Sequence, residues 1–172
     1  MHLETERLFL REMTEGDFDA LYQVLSDAVI MQHYPHAFDQ EQVRNWIARN
    51  MDRYRTLGFG LWAVCLKETG EMIGDCGLTM QQINGRILPE IGYHIRRDHQ
   101  RKGYAKEAAI AVRDWVFCNT PFQVVYSYMK HTNLSSIRTA CAYGCRHMES
   151  FADDINEITC VYALSRDVWE TR

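Results

Sequence analysis

His99-Gln-Arg-Lys-Gly-Tyr-Ala-Lys-Glu-Ala-Ala109 is the stretch on which the fold of this chain turns. Just before it, Glu90-Ile-Gly-Tyr-His-Ile95 alternates and is rich in strand formers. Just after it begins, Ala105, Ala108, Ala109, Val112 and Val116 recur at helical spacing. A strand therefore hands over to a helix here, with Gly103 and Ala105 where the helix starts. The first turn of a helix carries unpaired N–H groups and a partial positive charge, which together attract an anion. Gly103 and Ala105 leave that turn unobstructed, and Arg101, Lys102 and Lys106 add charge. The spacing Gln100-x-x-Gly103-x-Ala105 leads us to expect a phosphate or pyrophosphate. Taken alone, the turn is equally explained as a basic loop with a glycine of convenience.

The rest of the chain limits the choice. At 172 residues it is read as one domain over 1–172, long enough to bury roughly two-thirds of its unfolded surface. No repeat, low-complexity run or Pro/Gly/Ser-rich linker divides it. A formal net charge of −4 argues against a general nucleic-acid binder. Six cysteines include no Cys-x-x-Cys pair and mostly sit inside apolar patterns, as reduced core thiols do. Met1-His-Leu-Glu-Thr-Glu-Arg7 is no signal peptide. No apolar run reaches the ~20 residues of a membrane span. A cytoplasmic protein with no membrane partner is expected. His33-x-x-His36 lacks helical spacing and a third ligand, so no metal is expected.

Residues 3 to 11 read as a strand. A helix opens at Thr14-Glu-Gly-Asp17 and carries Phe18, Leu21, Tyr22 and Leu25 on one face. Asp39 can cap a second helix with the stripe Val43, Trp46, Ile47, Met51 and Tyr54; its arginines (44, 49, 53, 55) are a solvated face or a contact for an acceptor. Gly60–Leu66, a turn at Glu68-Thr-Gly70 and Met72–Leu78 form a hairpin, followed by a strand over 88–95 and a helix over 103–117. A strand at Phe122–Met129, a short helix closed by Gly144, and strands near 146–151 and 157–164 complete the chain. The order suits the α+β class, a mixed sheet with helices on its faces.

Asn133-Leu-Ser-Ser-Ile137 is the second signal. Asn133 can cap the short helix, or its amide can bond a ligand across the sheet opening. Taken together, the Gln100-Arg-Lys-Gly-Tyr-Ala105 turn and Asn133-x-x-Ser136 resemble the GNAT superfamily of acetyl-CoA-dependent N-acetyltransferases, most closely the ribosomal-protein N-terminal acetyltransferases of RimJ/RimL type. The likeness extends through Leu3-Glu-Thr-Glu-Arg-Leu-Phe-Leu-Arg11, Ile73-Gly-Asp-Cys-Gly-Leu78, Glu90–Ile95, Gly144 and Tyr162-Ala-Leu-Ser-Arg-Asp-Val-Trp169. It implies a central mixed, mostly antiparallel sheet of about seven strands flanked by about four helices.

The resemblance implies that the loop Arg101-Lys102-Gly103-Tyr104-Ala105-Lys106 wraps the coenzyme pyrophosphate, and that the strand end around His94, Ile95 and Arg97 pairs with the pantetheine arm. Asn133 would touch the pantetheine or the thioester. Many relatives place an acidic tyrosine where this chain has Ala140, so Ser136 is the candidate to protonate the thiolate; Tyr143 is read as packing. Acetyl transfer needs an oxyanion site, which backbone N–H groups near Ile95 can supply. It also needs a base to collect the amine proton. Glu90, acting through water, leads, with Asp75 second. His33, Tyr34, Trp62 and Tyr93 are candidates to line the acceptor pocket.

The activity so implied is acetyl transfer from acetyl-CoA to an amine acceptor, with a monomer or homodimer as the working unit. The alternative is a non-catalytic acyl-CoA sensor or interaction module. Neither a Gly-x-Gly-x-x-Gly nor a Walker-type loop occurs, which disfavours a dinucleotide or nucleoside triphosphate site. At pH 7 roughly 15% of an α-amine is neutral, against about 0.04% of a lysine side chain. One candidate carboxylate and no base array therefore favour an α-amine, at a protein N-terminus or on an amino-acid-like molecule.

Overall fold

A computed structural model describes residues 2–171. In chain order the strands are β1 (His2–Glu4), β2 (Leu8–Arg11), β3 (Leu61–Leu66), β4 (Met72–Ile83), β5 (Arg86–Ile95), β6 (Val124–Lys130), β7 (Arg146–Asp153) and β8 (Glu157–Ser165). The helices are α1 (Phe18–Leu25), α2 (Gln40–Leu57), α3 (Tyr104–Asn119), α4 (Leu134–Tyr143) and α5 (Arg166–Glu170), with 3-10 turns at Glu15–Asp17 and Arg97–His99. One mixed, mostly antiparallel sheet runs β1-β2-β3-β4-β5-β6-β8-β7. The α+β architecture is the expected one, with one strand and one short helix more than the periodicity suggested.

The extra strand has a local cause. The expected strand over 3–11 breaks at a turn in which the Thr5 N–H bonds the Leu8 carbonyl. Glu107 of α3 holds that turn, accepting from the Thr5 hydroxyl at 2.6 Å and from the Arg7 backbone and Nε at 2.8 and 2.7 Å. His2–Glu4 then folds back antiparallel on Leu8–Arg11.

Strand alternation divides the core into two. Trp62, Cys76, Leu78, Ile91 and Ile95 pack on the face covered by α3. Leu61, Ala63 and Met72 pack with Val43 and Ile47 of α2 on the other. α2 is fixed by a capping box between Asp39 and Gln42 and ends at Gly58 in the left-handed region.

The sheet opens in its middle. β5 and β6 run parallel and are in register only at Glu90 and Tyr126. Past that pair the β5 edge is met by side chains instead. The Ser127 hydroxyl donates to the Ile91 carbonyl at 2.7 Å, and the Gln100 amide to the Ile95 carbonyl at 2.9 Å. By strand alternation Tyr93 presents its backbone to the same gap, between those two bonds.

Candidate active site

The gap in the sheet points at the start of α3. Gly103 precedes that helix with φ +86° and gives it no side-chain cap, and Arg101 also has positive φ, +60°. The first amides of α3, at Tyr104, Ala105 and Lys106, are therefore left for an outside partner. The first-turn carboxylate of Glu107 would repel an anion, but it is drawn away to Thr5 and Arg7. Burial opposes its ionisation, and those hydrogen bonds outweigh burial and hold it below the usual carboxylate range. Arg7 also donates to the Lys102 carbonyl at 3.0 Å and lies over the Tyr104 ring at 4.5 Å. Arg7 is thus a buttress of the loop that sequence reasoning missed. Lys102 and Lys106 are exposed beside it.

The far wall of the gap is α4. Asn133 caps it, its side-chain oxygen accepting from the Ser136 N–H at 3.2 Å, and the residue borders the cavity. The Tyr93 hydroxyl donates to the Ser136 carbonyl at 2.9 Å and ties β5 to this turn. Ser136 lines the cavity, and no described residue bonds its hydroxyl. Ala140 is fully buried, and Tyr143, also buried, shares a 2.8 Å hydrogen bond with Ser127.

On the α2 side of the sheet the gap widens into a cavity of about 540 Å³. Glu90 and His94 share this face of β5, opposite Thr79 and Asp75 of β4. The Glu90 carboxylate lies over Gly92; a Cβ there would sit 3.0 and 3.1 Å from its two oxygens. Thr79 donates to Glu90 at 3.0 Å. Burial pushes the Glu90 carboxyl up to about 7, against the pull of the Thr79 hydrogen bond, His94 and Arg53. A base with that pKa is half ionised at neutral pH, which suits proton transfer. Gly92→Ala should displace the carboxylate and leave the fold standing. The expected result is a loss of activity about tenfold or greater with an unchanged melting temperature, measured side by side.

Beyond Gly92 a second group of side chains closes the cavity. The Trp46 indole donates to buried Asp75 at 2.9 Å, Asp75 contacts His94 Nδ1 at 2.7 Å, and His94 Nε2 meets the Tyr34 hydroxyl at 2.7 Å. Burial works against a charged His94, but Asp75, with Glu90 behind it, raises the imidazole above its ordinary value. Burial also raises the Tyr34 hydroxyl, although Tyr34 as a whole is 43% exposed. Tyr34 and His94 lie 60 positions apart, so no local pattern could have paired them.

The sequence-derived candidates therefore separate. Glu90, Ser136, Asn133, His33, Tyr34, Tyr93 and His94 all border the cavity. His94 does so with its side chain on the α2 side, while strand alternation turns its backbone toward β4, where a Cβ on Gly74 would collide with its carbonyl oxygen. The backbone that faces the gap where a pantetheine arm would lie is that of Tyr93 and Ile95. Ile95 is a core residue, and Arg97 is exposed on the 3-10 turn. Trp62 needs correction. It is 1% exposed and meets Trp115 of α3 edge-to-face at 5.1 Å, because strand parity turns it to the other face while its neighbour Leu61 reaches the cavity. Among the described residues no group of three His, Cys, Asp or Glu side chains is placed to hold a metal ion. None of the described helices is long and apolar enough to cross a membrane.

Comparison with known proteins finds relatives in sequence and in fold. Residues 7–146 match the acetyltransferase (GNAT) domain family. The uncharacterized protein YkkB of Bacillus subtilis is 35% identical over 149 residues, covering 86% of this chain and 87% of its own. Among solved structures, a GNAT-family acetyltransferase from Bacillus anthracis superposes with a TM-score of 0.82 at 25% identity, over 97% of this chain and 99% of that one. The ribosomal L7/L12 α-N-protein acetyltransferase RimL, solved with coenzyme A, shares the fold at a TM-score of 0.81 and 17% identity, over 98% and 99% of the two chains.

Proposed function

Because this chain belongs to the GNAT acetyltransferase family, we propose that it carries acetyl from acetyl-CoA to a free α-amine by direct attack of the amine on the thioester. The observation that carries this reading is Glu90, a carboxyl poised near neutrality at the point where β5 and β6 part. A domain that merely bound acyl-CoA would have no use for it. The acyl donor supplies a carbonyl already activated by a thiol leaving group, whose ordinary pKa near 8.5 asks for only modest acid help.

The residues of the chain divide the remaining work. The amides at the start of α3, with Arg101, Lys102 and Lys106, take the pyrophosphate, for which a glycine-led helix start is well suited. The β5 edge between the Ser127 and Gln100 hydrogen bonds offers the backbone of Tyr93 to the pantetheine amides. Glu90 receives the proton of the attacking amine, directly or through a water. Asn133 and Ser136 border the same cavity from α4. Ser136 donates its proton to the departing thiolate and is the nearest substitute for the tyrosine missing at Ala140.

Ser136→Ala is expected to lower kcat by about tenfold to a hundredfold while leaving the KM for acetyl-CoA nearly unchanged, read from initial rates of CoA release. Full kcat in the variant would hand the acid role to water. The choice of amine is tested with two otherwise identical peptides, one with a free N-terminus and no lysine, the other N-terminally blocked with a single lysine. Faster acetylation of the free N-terminus is expected. Faster acetylation of the blocked peptide would overturn the α-amine assignment.

A further inference from the structure

The four arginines of α2 have different fates. Arg44 stacks over the Phe18 ring at 4.2 Å, and Arg55 pairs with Asp52 at 3.2 Å. Arg49 and Arg53, four residues apart and so on one face of the helix, border the cavity instead. Neither has an ion-pair partner among the described residues; Arg53 reaches only the Asn50 side-chain oxygen at 3.2 Å. Burial and the neighbouring Arg49 both weaken the charged form of Arg53, so the arrangement costs stability as it stands. Lys130 lies on the cavity wall as well, near enough to join burial in holding His33 below its ordinary value.

None of the cavity's carboxylates forms an ion pair with these arginines, although Glu90 attracts Arg53 from a distance. Asp153 accepts from the Ile155 and Asn156 N–H groups and from Thr159. Asp75 is held by Trp46 and His94. That leaves Glu90, which is only half ionised near pH 7. Nor do the coenzyme phosphates account for the arginines, since the amides prepared for them lie at the start of α3, on the other face of the sheet. A bare ammonium or a polyamine approaching Glu90 would pass two guanidinium groups that have no ion-pair partner among the described residues.

We propose that the acceptor carries its own anionic group, a carboxylate or phosphate within a few bonds of the amine, which Arg49 and Arg53 bind while the amine faces Glu90. The inference rests on the acetyltransferase reading above and names its substrate class. Two planar guanidinium groups on adjacent turns form a two-pronged clamp for such an anion. The clamp would also turn the amine toward the thioester, so part of its effect should appear in kcat as well as KM.

The test uses matched acceptors that differ in the anion alone. These are free amino acids against their carboxamides, dipeptides with aspartate against asparagine in second place, and phosphoethanolamine against ethanolamine. Each pair is assayed with the intact protein and with the Arg49→Gln/Arg53→Gln double variant. The anionic member of at least one kind of pair should be preferred in kcat/KM by about tenfold or more, and that preference should fall toward unity in the double variant. Differences in amine basicity cancel in this ratio of ratios. Arg53→Lys, which keeps the charge and loses the fork, should retain an intermediate preference. Equal or better use of the neutral member in every pair, or a preference that survives the double substitution, would overturn the proposal. Should CoA raise the melting temperature while no member of any pair is acetylated, the anionic acceptor falls and donor binding stands. If CoA leaves the melt unmoved, the donor site itself has failed.

Discussion

Glu90→Gln is expected to lower kcat/KM by about a hundredfold or more at neutral pH, the usual cost of losing a positioned base. The same substitution should make the protein more stable in mild alkali. Burial raises the Glu90 carboxyl from 4.5 to about 7. Below pH 4.5 the carboxyl is protonated in both folded and unfolded chains, and the fold bears no cost. Between 4.5 and 7 the unfolded chain loses its proton first, so stability is lost as the pH rises through that window. Above 7 the loss levels off at up to about 3 kcal/mol. Glutamine never ionises and can keep the Thr79 hydrogen bond, so the variant should melt higher than the parent at pH 8 and close to it at pH 4. Activity gives the complementary profile. In the parent, kcat/KM should fall as pH drops through about 7 as Glu90 takes up its proton; in the variant that inflection should be gone. An unaltered pH–rate profile in Glu90→Gln would reduce the carboxylate to a structural part. A melting difference that ignores pH would mean that burial does not govern its titration.

Gly103→Val should abolish the stabilisation that CoA confers. In the parent, CoA at a hundred times its dissociation constant should add about 2.7 kcal/mol to the unfolding free energy. Gly103 sits at φ +86°, where a β-branched residue is strained, and it opens the amides of the first turn of α3. Valine would either push that turn into another backbone conformation or stand where the phosphates must approach. Gly103→Ala keeps the backbone strain of an L residue at this φ but omits the branched bulk. Its Cβ would meet only Arg7 Nη2, at 3.3 Å, so the alanine variant should bind CoA more weakly without losing it. Differential scanning fluorimetry with and without CoA reads all three proteins. A full shift in the valine variant would place the coenzyme phosphates elsewhere.

Much of this fold was legible because its signals are local. The alternation of Glu90–Ile95, the spacing of Ala105 to Val116, the caps at Asp39 and Asn133, and the glycine at 103 each act within a few residues, and each forms as read. The places where reading failed needed a distant partner. Thr5 and Arg7 break the first strand because Glu107, about a hundred positions away, holds them. Trp62 was a candidate for the acceptor pocket because aromatic residues line such pockets, but strand parity and Trp115 put it in the opposite core.

The sequence by itself determined the order of elements, the glycine-led helix start with its basic residues, and the carboxylate and serine offered to the chemistry. It could do so because backbone hydrogen bonding and helix capping depend on neighbours along the chain. Tertiary structure alone decided what those groups became. It folded Glu90 over Gly92 and out of water, and so set the acidity of the carboxyl. It joined Trp46, Asp75, His94 and Tyr34 from four separate segments. It also divided one row of helical arginines into two that are satisfied and two that face the cavity unpaired. Burial and electrostatic partnership are properties of three-dimensional surroundings, to which residues far apart in the chain contribute equally with neighbours, and no window of sequence contains them.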